Sequence, residues 1–143
     1  MIQYISNSML YGKKLSSLDA KNLNIINLAF VGDAVYSLFV RQKLLTEREE
    51  KPNEMNKATS LVVCAEAQSK RAEEILNIMT EEETDIFRRA RNAKKNTRPK
   101  HAKSYEYNNS TGLEAVLGYL YLTGNEERLF EILNYEVKNE NRG

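Results

Sequence analysis

Residues 28–36 read Leu28-Ala29-Phe30-Val31-Gly32-Asp33-Ala34-Val35-Tyr36, an apolar run that contains one charged side chain. Asp33 is also the only charged residue in the nineteen positions from Asn22 to Val40. A stretch of this length without proline predicts one long helix, from about residue 23 to about residue 45. Because the stretch is apolar nearly all the way round, we expect the helix and its aspartate to be buried.

A second stretch, closer to the C-terminus, has the same character. Glu114 is the only charged residue in the nineteen positions from Tyr107 to Asn125. Together with Thr111 it forms a capping-box pattern, which predicts a buried helix from about residue 111 to about residue 122. An ionised carboxylate in a buried helix costs several kcal/mol unless it is paired or binds a metal.

Neither predicted helix offers a Lys, Arg or His within a turn of its acid. A divalent ion shared by Asp33 and Glu114 would satisfy both carboxylates, and hard oxygen ligands favour Mg²⁺, with Mn²⁺ as a substitute. Gly32 and Gly118 each cost a helix about 1 kcal/mol relative to alanine, so we expect them to allow a close approach of two backbones. Two alternatives stay open: Glu114 as the acid of the capping box alone, and Asp33 paired with a distant cation in the core.

The composition suits one domain of helices. The chain has 143 residues, two prolines and six glycines, which predicts a single all-α domain with its core at about 20–138. Further helices are expected over about 54–79, with 59–60 and 68–69 as the candidate breaks if there are two, and over about 81–92 after a capping box that begins at Thr80. A last helix should follow the turn at 124–125 and run to about residue 138.

Cys64 is the only cysteine, and its apolar neighbours predict a small buried side chain. A single cysteine cannot form an internal disulfide, which suits a reducing compartment. The N-terminus shows no signal-peptide pattern, and no apolar run approaches the length needed to span a bilayer. We therefore expect a cytoplasmic protein without a membrane partner.

The charge of the chain is concentrated in one segment. Eight basic residues and no acid lie between Ile86 and Tyr105. The other 123 residues hold 13 basic and 20 acidic side chains, a net charge of −7. A basic segment on an acidic body indicates a polyanionic partner. Because no aromatic residue lies between Phe87 and Tyr105, the segment fits the backbone of double-stranded RNA better than the stacked bases of a single strand.

The residues expected to contact the duplex are Arg91, Asn92, Lys94, Lys95, Arg98 and Lys100. A solvated basic loop is the alternative interpretation. The only histidine, His101, has no Cys or His companions for a zinc site, so we expect it to contact a phosphate or the solvent.

The run from Leu28 to Tyr36 resembles the signature helix of the ribonuclease III catalytic domain. The segments that begin at Arg91 and at Ser110 resemble the Mini-III subfamily in particular, and the resemblance covers about residues 20 to 135. It implies the helical fold of the ribonuclease III endonuclease domain and a homodimeric, Mg²⁺-dependent endoribonuclease that cuts double-stranded RNA, leaving 5′-phosphate and 3′-hydroxyl ends. Mini-III enzymes lack a separate double-stranded-RNA-binding domain and trim the precursor of 23S ribosomal RNA. The resemblance therefore implies that substrate here, with a ribosomal protein as a candidate helper.

By position, Asp33 matches the signature aspartate and Glu114 matches the glutamate of the second motif, so the resemblance assigns both as catalytic, metal-binding residues. Phe30 and Val31 are the candidates for the dimer interface. The other acids of full-length ribonuclease III fall here on Ile26, Ala29 and Thr111, a thinner acidic set that Mini-III proteins share.

Two other functions compete with this interpretation. A non-catalytic double-stranded-RNA-binding or ribosome-associated protein on the same fold would not need isolated acids in apolar helices. A helical Mg²⁺-dependent nucleotide phosphohydrolase would show clustered acids on one helix and would have little use for the basic segment.

Overall fold

The structure, a computed structural model, describes residues 10–95 and 103–138. Within these residues the chain forms seven α-helices and no strand, which confirms the predicted all-α class. The helices are α1 (Ser17–Lys21), α2 (Ile25–Glu47), α3 (Pro52–Val63), α4 (Ala65–Leu76), α5 (Glu81–Asn92), α6 (Ser104–Leu122) and α7 (Glu126–Asn134). None of the helices described is long and apolar enough to cross a membrane.

Helix α6 is the centre of the domain. From Leu113 to Leu120 every residue except Glu114 is buried, and α2, α4 and α5 pack around it. A helix that is apolar on all sides needs neighbours on all sides, which is why three helices surround this one. The prediction of a buried helix around the second acid is confirmed.

The predicted start of α6 is wrong. The helix begins at Ser104, so Thr111 lies in its middle and donates its hydroxyl to the carbonyl of Tyr107 at 2.9 Å. Ser110 does the same at 2.7 Å. Both hydroxyls are satisfied inside the helix and do not mark its end. Glu114 therefore has no capping role.

Helix α2 is buried along one face only, the face that contacts α6. On its other side Phe30 is 77% exposed and Leu38 is 55% exposed. The expectation of a helix buried all round is wrong for the single chain, because α6 covers one face and the remaining helices leave the other open. Asp33, predicted to be buried, is exposed.

The predicted helix over 54–79 is two helices, which meet at Cys64 and at neither predicted break. Cys64 has an extended backbone (φ −68°, ψ 159°), and this ends α3 and begins α4. Its side chain is exposed. The prediction of a buried cysteine is wrong, because the residue lies at a joint between helices and not on the packed face of one.

Helix α5 begins with the predicted capping box, in which the side chains of Thr80 and Glu83 each accept a hydrogen bond from the backbone N–H of the other. Glu83 is also buried, and it receives two hydrogen bonds from Arg128 of α7 at 2.8 and 2.9 Å. Burial alone would raise the pKa of Glu83, but the hydrogen bonds from Arg128 and Thr80 lower it below its ordinary value. This bidentate pair joins α5 to α7.

Helices α2 and α6 touch through their backbones at two glycines. A Cβ added to Gly32 would lie 1.6 Å from the carbonyl oxygen of Glu114, and one added to Gly118 would lie 1.9 Å from the carbonyl oxygen of Leu28. No side chain fits at either distance. The predicted close approach of the two backbones is confirmed.

We expect Gly118→Ala to lower the free energy of unfolding by about 3 kcal/mol, because the two helices must move apart to admit the methyl group. Urea unfolding followed by circular dichroism measures the change. The control is Asn27→Ala, an exposed substitution on α2 that should stay within about 0.5 kcal/mol of the wild type. Wild-type stability in Gly118→Ala would contradict the backbone contact.

Candidate active site

The glycine contact brings the two isolated acids together. Gly32 immediately precedes Asp33 and packs against the main chain of Glu114. The two carboxyl groups lie close enough that the charge of Asp33 acts on the pKa of Glu114. The structure thus places side by side the two residues that the sequence singled out.

No cation pairs with these two acids in the described part of the chain. Within residues 10–95 and 103–138, neither Asp33 nor Glu114 forms a salt bridge, so the alternative of a paired Asp33 finds no support there. Burial of the Glu114 carboxyl group, and next the charge of Asp33, raise the pKa of Glu114 to about 8. Two adjacent carboxylates without a counter-charge are the electrostatic arrangement that a divalent ion relieves.

A third polar side chain lies at the same place. Gln68 of α4 is 3% exposed, and its amide contacts the Glu114 carboxyl group, where it favours the charged form. Its Oε1 atom is buried and has no hydrogen-bond partner in the described part of the chain. The sequence did not predict Gln68 as a site residue, because residues 68–69 fit a break between two helices. The available signal was its helical spacing from Ala72 and Ile75, which form the buried face of α4.

The oxygen atoms at this site suit a hard divalent cation. Carboxylate and amide oxygens are the ligands that Mg²⁺ and Mn²⁺ prefer in proteins. Among the residues that the structure describes, no group of three or more His, Cys, Asp or Glu side chains could hold a metal ion. An ion at this site would therefore depend on two acids, as the thin acidic set of the sequence predicts.

The start of the basic segment is held against the helix that carries Glu114. A Cβ added to Gly112 of α6 would lie 2.7 Å from the ring of Phe87 of α5. The guanidinium group of Arg91 lies over the same ring, 5.7 Å from its centroid. The ring of Phe87 thus lies between Arg91, the first predicted RNA contact, and the helix that carries Glu114.

The side chain of Lys95 forms hydrogen bonds within the protein. Its ammonium group donates to the carbonyl oxygens of Ala90, Arg91 and Ala93 at 2.7, 2.9 and 2.9 Å. These bonds satisfy carbonyl groups at and just beyond the end of α5; that of Ala90 also accepts a hydrogen bond from the backbone N–H of Ala93 at 3.3 Å. Lys94 and Asn92 are exposed. Of the other predicted contacts, Arg98, Lys100 and His101 lie outside the described residues.

The two dimer candidates lie on the open side of α2. Phe30 points into solvent, and Val31 lines a mainly apolar groove of about 550 Å³ together with Leu10, Leu38 and Phe130. The groove lies between α2 and α7, and Leu10 contributes to its lining.

Comparison with known proteins identifies the architecture. The family model of the Ribonuclease III domain matches residues 26–125, which include both acids, both contacting glycines and Gln68. This chain belongs to the ribonuclease III family. The predicted family and the predicted fold are confirmed.

The similar proteins within this family are Mini-ribonuclease 3 proteins. That of Thermoanaerobacter sp. is 41% identical over 138 residues, which are 96% of this chain and 94% of the relative. That of Clostridium tetani is 39% identical over 138 residues, 92% of this chain and 91% of the relative. A crystal structure of a Fusobacterium nucleatum protein matches with a TM-score of 0.73 and 34% identity over 81% of this chain and 93% of the other. The chain is an endoribonuclease of the ribonuclease III type, in its Mini-III group.

The raised pKa of Glu114 should make the stability of the metal-free ribonuclease depend on pH. Between the ordinary value of 4.5 and about 8, the folded state keeps a proton on Glu114 that the unfolded state has lost. The free energy of unfolding should therefore fall as the pH rises through this window, by up to about 1.4 kcal/mol per pH unit. Urea unfolding in EDTA between pH 5 and pH 9 measures the slope.

Glu114→Gln is the matched control, because the amide has the same shape and cannot ionise. The difference in pH dependence between the two proteins isolates this one proton from all other titrating groups. Parallel curves for wild type and Glu114→Gln would rule out the raised pKa.

Proposed function

We propose that this ribonuclease cleaves double-stranded RNA at the Asp33–Glu114 pair, with Mg²⁺ as its cofactor. The supporting observation is the pairing of two carboxyl groups beside a backbone contact that admits no side chain, with no cation bound to either acid among the residues that the structure describes. A site built in this way is costly to the fold. In metal-assisted phosphodiester hydrolysis, paired acids of this kind hold the metal ion.

Asp33 and Glu114 would hold the ion through their carboxylate oxygens. When bound, Mg²⁺ lowers the pKa of a water molecule and stabilises negative charge on the phosphoryl and leaving oxygens. Glu114 releases its proton for binding, and Asp33 lies on the solvent side, where a duplex can reach the pair. The products implied by the family resemblance carry 5′-phosphate and 3′-hydroxyl ends.

The basic segment would bind the duplex. Arg91 and Lys94 would pair with phosphates, and the amide of Asn92 would contact phosphate or a ribose 2′-hydroxyl. Lys95 would contribute indirectly, since its ammonium group fixes the end of α5 from which the segment departs. Arg98 and Lys100 complete the proposed surface.

We also propose a homodimer in which a second copy covers the open side of α2. Phe30 and Leu38 are exposed apolar side chains beside an apolar groove, and a patch of this kind favours association. A two-fold arrangement would give each RNA strand one acid pair.

The proposed biological substrate is the precursor of 23S ribosomal RNA in the cytoplasm, with a ribosomal protein as helper.

The competing function is a non-catalytic RNA-binding protein on the same fold. The acid pair argues against it. Placing two acids together burdens the fold with the raised pKa of Glu114, so a protein that only binds RNA would be better without them.

The catalytic proposal predicts that Asp33→Asn slows cleavage strongly without weakening RNA binding. Wild type with a labelled RNA duplex should yield cleavage products in Mg²⁺ and none in EDTA. Asp33→Asn should be slower by on the order of 10²–10³-fold, because the substitution removes transition-state charge stabilisation. Gel-shift titration in EDTA should give both proteins similar affinity for the duplex. If the wild type bound the duplex but did not cleave it in the presence of any divalent ion, the non-catalytic function would be favoured.

The dimer proposal predicts that Phe30→Asp is monomeric, because a charge on the covered face would have to be desolvated. Sedimentation equilibrium measures the mass of wild type and variant. Leu61→Asp places the same charge on α3 at a residue that is 76% exposed and outside the groove, so it should leave the dimer intact. A monomeric wild type would refute the proposal.

A further inference from the structure

Gln68 reaches the acid pair from α4. Its Nε2 atom donates to the carbonyl of Val63, the last residue of α3, at 2.8 Å, and its backbone N–H donates to the carbonyl of Cys64 at 2.9 Å. One amide hydrogen thus links the side chain of Gln68 on α4 to the last residue of α3. The second hydrogen on the same nitrogen is available to the Glu114 carboxylate, which this amide contacts.

An amide is a poor choice here for packing alone. Gln68 is 3% exposed, and its Oε1 atom has no hydrogen-bond partner among the described residues. A buried acceptor without a partner destabilises a fold. Methionine would fill the same volume on α4 without burying that oxygen. The bond to Val63 uses one amide hydrogen, and the contact with Glu114 accounts for the other.

We propose that Gln68 is a positioning residue for the divalent-cation site, whose amide N–H holds the Glu114 carboxylate beside Asp33 and thereby raises the affinity of the pair for the ion. The inference rests on the proposed function, since it requires Asp33 and Glu114 to be the metal ligands. Hydrogen-bond partners of metal ligands change metal affinity by about 10- to 100-fold when removed.

The neighbouring residue supplies a matched control. Ser69 is 2% exposed and accepts a hydrogen bond from Asn109 of α6 at 3.1 Å. Ser69→Ala therefore removes a buried polar contact between the same two helices, at the adjacent position on α4. It leaves the amide beside Glu114 untouched.

The test measures binding of Mn²⁺ to the full chain without RNA, from the electron paramagnetic resonance signal of the free ion. Gln68→Met should bind Mn²⁺ about tenfold more weakly than wild type, or weaker still. Ser69→Ala should bind as wild type, and Asp33→Asn should lose binding. If Gln68→Met bound Mn²⁺ as tightly as the wild type, or if Ser69→Ala lost as much Mn²⁺ affinity as Gln68→Met, the inference would be overturned. Either result would leave the proposed role of Asp33 and Glu114 as metal ligands unaffected. Equal binding by wild type and Asp33→Asn would instead overturn the proposed function.

A second measurement needs no substitution and holds even if Gln68→Met does not fold. During a titration of wild type with Mg²⁺, the side-chain amide signals of Gln68 in proton–nitrogen NMR spectra should shift with the midpoint of metal binding. The amide of Asn125, which donates to Thr123 at 2.7 Å beyond the C-terminal end of α6, should not shift. Unchanged Gln68 signals at saturating Mg²⁺ would overturn the inference.

Discussion

The backbone contact between α2 and α6 fixes the geometry on which the candidate site depends. Gly32 meets the main chain of Glu114, and Gly118 meets the main chain of Leu28. The contact is reciprocal, so neither helix can slide or rotate without driving a carbonyl oxygen into its partner. Asp33 and Glu114 therefore take their separation from the main chain and not from flexible side chains. Catalytic groups need placement to within about 0.5 Å, and a backbone contact of this kind provides it.

The same arrangement works against the stability of the domain. Burial of the Glu114 carboxyl group beside the charge of Asp33 raises its pKa, and the nearby amide of Gln68 buries an oxygen that no described group satisfies. The buried second half of α6 and the bidentate link from Arg128 to Glu83 offset this strain elsewhere. Functional sites commonly carry local costs of this sort, which the rest of the fold compensates.

The features that depend on a local pattern of residues were predictable from the sequence. Isolated acids in apolar stretches indicated the pair, and glycines inside helices indicated the close contact. The open side of α2 was not predictable, because an apolar residue such as Phe30 has the same pattern whether its own chain or another covers it. Lys95 shows a related limit, since a basic residue can pair with a helix end as readily as with a phosphate. The break at Cys64 and the start of α6 depend on packing and on hydroxyl groups that bond within the helix.

Cys64 has a practical consequence for studying this ribonuclease. It is the only cysteine of the chain, it is exposed, and it sits at the joint between α3 and α4. A thiol-reactive fluorophore or spin label would attach at this one position without any engineered cysteine. The probe would lie four residues from Gln68 along the chain. In an assembly of two copies, a measured label-to-label distance would be the distance between two known helix joints.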